Sequence, residues 1–249
     1  MKTTLLSACL IAMTAATFAA ERDTRVFELR TYYAAPGKLD ALNARFRNHT
    51  CKLFEKHGIA NIGYWVPLDN TNNSLIYLLA YPSPEAARQS WKDFGSDPAW
   101  KAVVRETEAN GRLVTKVDSV YLAPTDFSPI VTPTKTDPAR VFELRTYKAS
   151  PGKLPNLLAR FRNHTVALFA KHGMTNFGYW TPTDAKKGAD DTLIYLLAHQ
   201  SKEACADSFK AFRADPDWLK AKTESEKDGS RTTKVESVLL QPTDYSPAR

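Results

Sequence analysis

The octapeptide RVFELRTY stands at Arg25–Tyr32 and again, unchanged, at Arg140–Tyr147, 115 residues further on. The same displacement carries PGKL at Pro36–Leu39 onto Pro151–Leu154 and RFRNHT at Arg45–Thr50 onto Arg160–Thr165. It also carries KHG at Lys56–Gly58 onto Lys171–Gly173 and GYW at Gly63–Trp65 onto Gly178–Trp180. Past a polar stretch around Lys186–Asp191 the displacement becomes 118. There LIYLLA at Leu75–Ala80 meets Leu193–Ala198, DPxW at Asp97–Trp100 meets Asp215–Trp218, and PTDxSP at Pro124–Pro129 meets Pro242–Pro247. Polar surface loops absorb insertions cheaply, so the change of spacing is expected there. Blocks matched in order at displacements of 115 and then 118 over most of a 249-residue chain mark a duplicated domain of about 110 residues. The copies are expected at 25–128 and 140–247. The proline-rich stretch between them, residues 129–139, reads as an extended linker.

Inside each copy the hydrophobic period changes in a regular order. Val26–Tyr33 is short and β-rich, and Pro36-Gly37 turns the chain. Leu39, Leu42, Phe46, Leu53 and His57 then form one helical stripe, which Gly58 stops. Ile59–Pro67 and Ser74–Tyr81 read as strands, Pro84–Val104 as a helical stretch broken near Gly95–Pro98, and Leu113–Leu122 as a fourth strand. The order β-α-β-β-α-β is the ferredoxin-like plan. Such a sheet carries helices on one face only, and the second copy can cover the other. The fold class expected is α+β: two tandem ferredoxin-like repeats closing into a pseudo-dimeric α/β barrel.

The first residues, MKTTLLSACLIAMTAATFAAERD, have a positive start, an apolar core at Leu5–Met13 and small residues up to Ala20. This is the layout of a cleavable signal peptide over residues 1–19, so the protein is expected to be exported to a bacterial periplasm or secreted. Cleavage after Ala19 places Thr17 at the third position back, and cleavage after Ala20 places the bulky Phe18 there. The mature chain accordingly begins at Ala20 or Glu21. The apolar core is too short for a stable membrane anchor. Removal of the segment takes Cys9 with it and leaves Cys51 and Cys205, which align with Val166 and Ala87 in the other copy. A framework disulfide would recur in both copies, and a metal site would need more ligands, so neither a metal nor a cofactor is assigned. The net charge of +7 comes from basic residues scattered among acids, without an aromatic-interleaved basic stripe, which argues against nucleic acid.

Along the first strand Phe27, Leu29 and Thr31 share one face, and Glu28, Arg30 and Tyr32 share the other. If the apolar set packs under the helices, the polar set and its counterparts Glu143, Arg145 and Tyr147 line the barrel. They then either fix the sheets as a structural ion pair or hold a small polar or anionic molecule. His49 and His164 flank the apolar stripe of each first helix and are further ligand-binding candidates, although packing is the competing role. His57 and His172 sit in last turns, where a cation suits the helix dipole. GYW puts Tyr64 and Tyr179 on one side of their strands and Trp65 and Trp180 on the other, as packing or as a stacking platform. No P-loop, dinucleotide glycine pattern or nucleophile elbow is present, and no catalytic residue is assigned.

In their order and spacing, VFELRTY, PGKL, KHG, GYW and the SWxxFxxDPxW run at Ser90–Trp100 resemble the NIPSNAP family over almost all of both repeats. The resemblance implies the dimeric α/β-barrel group, which includes small monooxygenases and haem-dependent enzymes. It supplies no agreed catalytic residues. Two functions stay open at this point: an exported small-molecule-binding or protein-interaction module, which further copies of the chain could join, and an oxidoreductase, monooxygenase-like or haem-dependent.

Overall fold

The computed structural model describes residues 21–249, so the export segment and Cys9 lie outside the described residues. The first repeat runs β1 (Val26–Ala34), α1 (Leu39–Arg45), a π-helical turn (Phe46–Thr50), α2 (Cys51–Lys56), β2 (Ala60–Pro67), β3 (Ser74–Tyr81), α3 (Pro84–Ser96), α4 (Pro98–Thr107) and β4 (Val114–Pro124). The second repeats it: β5 (Val141–Ala149), α5 (Leu154–Arg160), a π-helical turn (Phe161–Thr165), α6 (Val166–Lys171), β6 (Thr175–Pro182), β7 (Thr192–His199), α7 (Lys202–Ala214), α8 (Pro216–Ser225) and β8 (Thr232–Pro242). A short 3-10 turn at Ala185–Lys187 occupies the three-residue insertion.

Local chemistry sets the boundaries. Ser83 caps α3 by accepting from the Ala86 amide, and Asp97 caps α4 by accepting from the Ala99 amide, each with proline in the first turn. This is the break expected near Gly95–Pro98. The first helix departs from a 3.6-residue stripe. Thr50 Oγ1 donates to the Arg45 carbonyl five residues back, and the π turn rotates α2 about the helix axis, so that Phe54 is buried in place of Leu53.

The eight strands close in the order β1-β3-β2-β8-β5-β7-β6-β4, every neighbour antiparallel. β1 and β5 stand four places apart and run the same way, so the pseudo-twofold lies along the barrel axis. The two seams, β2–β8 and β4–β6, join the repeats, and PTDxSP stitches them. Ser128 Oγ accepts from the Tyr179 amide and Ser246 Oγ from the Tyr64 amide, while Asp126 and Asp244 pair bidentately with Arg162 and Arg47. Among the described residues, closure leaves no bare sheet edge.

The apolar core is threefold. Phe27, Leu29, Trp65, Leu78 and their second-repeat partners fill the barrel, and each repeat has its own cluster between sheet and helices. A Cβ at Gly63 or Gly178 would stand 2.2 or 2.3 Å from the indole of Trp65 or Trp180, which folds back over the strand. That close approach explains the glycine of GYW. The linker is extended but anchored. Val131 is buried with Ala248 at one end of the barrel, and Thr136 and Arg249 exchange a backbone bond nearby.

Candidate functional site

The orientation of the first strands is the reverse of the expected one. Phe27 and Leu29 point into the barrel, and Glu28, Arg30 and Tyr32 point out under the helices, as do Glu143, Arg145 and Tyr147. The physical reason is satisfaction of charge. The barrel interior is filled by rings such as Phe27 on Trp180 and Trp65 on Phe142, and it offers a carboxylate few donors. The helix layer and neighbouring strands offer several.

In the first repeat Glu28 is 1% exposed and takes four donors. Oε1 accepts from Arg30 Nη1 and Ser119 Oγ at 2.5 Å, and Oε2 accepts from Tyr81 at 2.7 Å and Trp91 Nε1 at 2.8 Å. Arg30 also donates from Nε to the Tyr77 hydroxyl at 2.9 Å and lies 4.4 Å over the Trp91 ring. Burial works against the Arg30 cation, but the phenols of Tyr77 and Tyr32 and the Glu28 carboxylate hold its pKa above the ordinary value. A carboxylate with both oxygens doubly occupied is a structural anion with no free lone pair for substrate.

The second repeat keeps the frame and changes two of the donors. Glu143 Oε1 accepts from Arg145 Nη1 and Ser237 Oγ at 2.5 Å. Oε2 instead faces His199 Nε2 at 3.2 Å and Cys205 Sγ at 3.8 Å. His199 takes the place of Tyr81, Cys205 that of Ala87, and Phe209 that of Trp91. Burial alone would raise the Glu143 carboxyl, but His199, the Arg145 charge and Ser237 hold it below its ordinary value. Burial and the Glu143 charge push the Cys205 thiol up to about 12, so it is a protonated thiol. Among the described residues His199 Nδ1, Arg145 Nε and the Tyr195 hydroxyl are buried with no hydrogen-bond partner.

The remaining candidates are dispersed. His49 is half-buried and His164 exposed on the π turns, away from both carboxylates. Tyr64 and Tyr179 are buried in the helix-side clusters and donate to Asn61 and Asn176, so they pack and do not form a stacking platform. His57 and His172 end α2 and α6, and each pairs with an aspartate, Asp97 at 2.7 Å or Asp215 at 2.6 Å. KHG and DPxW are thus two halves of one contact.

Among the described residues several clefts are open: His164 borders two small ones on the helix surface and Tyr147 another, and one lies at a barrel mouth. Thr31 and Tyr33 continue the inward face of β1, Ile76 and Ser74 that of β3, Leu144 and Thr146 that of β5, and Val238 and Glu236 that of β8. With Asp69, Asn70 and Asn72 they border a cavity of about 640 Å³. The opposite end holds Val131 and Ala248. These mouth residues carry no signal in the sequence pattern, nor do Arg45 and Arg160, which are buried against Glu108 and Glu226. His199 does not stand out there either, and Cys205 reads only as a cysteine with neither a disulfide nor a metal role. Their signal was present as the positions where two otherwise matching copies differ in chemistry.

The NIPSNAP family model matches residues 27–129 and 142–247. No curated protein is a significant match to the chain. Among solved structures, a "putative monooxygenase" from Lactobacillus acidophilus is 12% identical with a TM-score of 0.58, over 88% of this chain and 94% of its own. An "anthrone oxidase-like protein" is 12% identical with a TM-score of 0.56, over 91% and 95%. A NIPSNAP family protein from Agrobacterium tumefaciens is 23% identical with a TM-score of 0.38, over 42% of this chain and 97% of its own. The first two likenesses show a shared fold. With both repeats matched, the chain belongs to the NIPSNAP family as a tandem member whose two domains close one barrel.

Proposed function

We propose that this protein binds a small polar molecule, uncharged or cationic, in the open mouth of its barrel. The observation that carries the reading is the cavity of about 640 Å³ bordered by both repeats. A volume of a few hundred Å³ suits a small ligand. Thr31, Thr146, Ser74 and Asn72 supply hydrogen-bonding groups around a floor of Ile76, Leu144 and Val238, and Asp69 and Glu236 are the charged residues of the lining. Glu236 is paired with Lys234 Nζ at 2.6 Å, so Asp69 is the charge that favours a cation or a neutral polar group over the anion considered from the sequence. The oxidoreductase alternative is supported by likeness of fold, which is weak evidence for chemistry.

Thermal-shift screening with small amines, polyols and sugars tests the reading. A stabilising compound should lose its effect in Thr146→Phe, which fills the mouth, while the free variant melts as the parent does. Compounds that stabilise both proteins equally, or oxygen consumption with a quinol that persists in the filled variant, would overturn it. We also propose export. Expressed with its first residues intact in a bacterial host, the protein should be periplasmic and shortened by 19 or 20 residues on intact-mass measurement, and a retained Met1 would count against this.

A further inference from the structure

The change of donors around Glu143 has chemical content of its own. His199 closes β7, Cys205 lies in the first turns of α7, and Glu143 lies on β5. The topology therefore gathers an imidazole, a thiol and a carboxylate from three elements into one buried pocket. All three are buried, and their ligand atoms lie within 4.8 Å of one another.

We propose that Glu143, His199 and Cys205 form a binding site for a thiophilic d10 cation, with zinc(II) as its typical occupant. The distances fit that chemistry. With Zn–S near 2.3 Å and Zn–N and Zn–O near 2.0–2.2 Å, tetrahedral angles place S and O about 3.6 Å apart and N and O about 3.4 Å apart. The observed separations are 3.8 Å for Cys205 Sγ to Glu143 Oε2 and 3.2 Å for His199 Nε2 to the same oxygen. The third pair, His199 Nε2 and Cys205 Sγ, lies within 4.8 Å, so side-chain adjustment is what brings the three donors onto one ion. Glu143 divides its work suitably: Oε1 is held by Arg145 and Ser237, and Oε2 turns to the imidazole and thiol. Donors on the non-ligating oxygen are the support that orients a carboxylate ligand. As the metal–sulfur bond forms, the Cys205 thiol gives its proton to solvent, and the imidazole binds as the neutral ring through Nε2.

The charge count limits the occupant. Arg145 neutralises Glu143, so one thiolate is left to balance the ion. A divalent ion then requires an anionic fourth ligand such as hydroxide or chloride, and copper(I) requires none. Thiolate and imidazole suit both ions, whereas magnesium and calcium call for oxygen-only ligand sets. The first repeat is the internal control, since Tyr81 and Ala87 occupy the equivalent places and the same fold forms around Glu28.

The test is metal titration of the chelator-stripped, full-length protein against a competing chromogenic chelator, with zinc(II) and, anaerobically, copper(I). The parent and Cys51→Ser should take up one equivalent, and cobalt(II) should give a thiolate charge-transfer band in both. The double variant His199→Tyr with Cys205→Ala restores two of the three first-repeat residues and should fold. It should lose the cobalt band and bind more weakly by over about 100-fold, beyond the 10–100-fold typical of losing an outer-shell partner. Failure of the parent to compete for either ion, or equal uptake by the parent and the folded double variant, would overturn the proposal. Loss of the cobalt band in Cys51→Ser alone would do the same.

Discussion

The two sheet–helix layers share a frame and differ in how they bury a carboxylate. Around Glu28, four donors close the shell and the neighbouring Arg30 spends Nε on Tyr77. Around Glu143, His199 and Cys205 replace the phenol and a methyl group, and His199 Nδ1, Arg145 Nε and the Tyr195 hydroxyl are left without partners. Buried polar groups are normally satisfied, so, among the described residues, the unsatisfied ones present around Glu143 and absent around Glu28 mark a chemical difference between the copies. The ion pair belongs to the architecture of both copies, and the residues facing Glu143 Oε2 are what one copy has made its own.

The largest expected effect comes from parting the copies. A fragment of residues 25–128 keeps its satisfied Glu28 shell but exposes Phe27, Leu29, Trp65 and Leu78, and it loses both seams. An exposed apolar face of several hundred Å² drives association. The fragment should therefore aggregate or form a homodimer that rebuilds the barrel, as judged by sedimentation. A soluble, cooperatively melting monomer would show that the helix layer alone sustains the fold.

Much of this architecture was legible in the chain. Repeat spacing gave the duplication, period changes gave the element order, and the one-sided sheet gave barrel closure. Which face of β1 turns inward was not legible, because alternation in VFELRTY defines two faces without saying which meets the helices. Tyr81, Trp91 and Ser119 decide it, and they come from distant segments. The mouth was hidden for the same reason, since its lining comes from several strands and a loop spread over both repeats. The π turn escaped because a 3.6-residue stripe cannot register an extra residue. His199 and Cys205 were visible only as departures from repeat symmetry.

Next in size is removal of an arginine. Arg30→Met leaves Glu28 buried without its cation, a loss of ~3–5 kcal/mol in typical cases. The matching Arg145→Met should cost about 1 kcal/mol less, because Arg145 lacks the Nε bond that Arg30 makes to Tyr77. Replacing Glu28 and Arg30 together with apolar residues should not rescue stability, since Tyr81, Trp91 and Ser119 would lose their acceptor. Urea melts of the three variants measure this, and equal costs for the two arginines would contradict the comparison.

Acid should affect both repeats through a contact they share. Hydrogen bonds from Lys56 and His57 hold the Asp97 carboxyl well below its ordinary range, and Lys171 and His172 do the same for Asp215. A lowered folded-state value gives stability that is fully present above the ordinary aspartate pKa of about 3.9 and is lost as pH falls toward the folded value. Glu143 adds a loss of the same sign, beginning below the ordinary glutamate value. Melting temperature should therefore fall steeply below about pH 4, and Asp97→Asn or Asp215→Asn should flatten that fall to similar extents. A flattening by one variant only would make this contact another point of divergence.

The smallest and sharpest effect is expected from exchanging one donor in metal-free protein. His199→Tyr gives Glu143 Oε2 the phenol that Glu28 has from Tyr81 and removes the unpartnered Nδ1. Leaving a buried polar atom unsatisfied costs about 1–3 kcal/mol, and Phe209 is smaller than its counterpart Trp91. The variant should thus be more stable than the parent by about 1 kcal/mol, the lower end of that range, because a histidine can recover part of the cost by small movements. The converse Tyr81→His should be destabilising, since it installs the imperfect arrangement in the closed shell. Opposite signs for the two exchanges would show that the second repeat gives up stability to keep an imidazole beside a carboxylate and a thiol. Destabilisation by both would mean that each shell is already best packed as it stands, and the unpartnered atoms around Glu143 would then carry no cost.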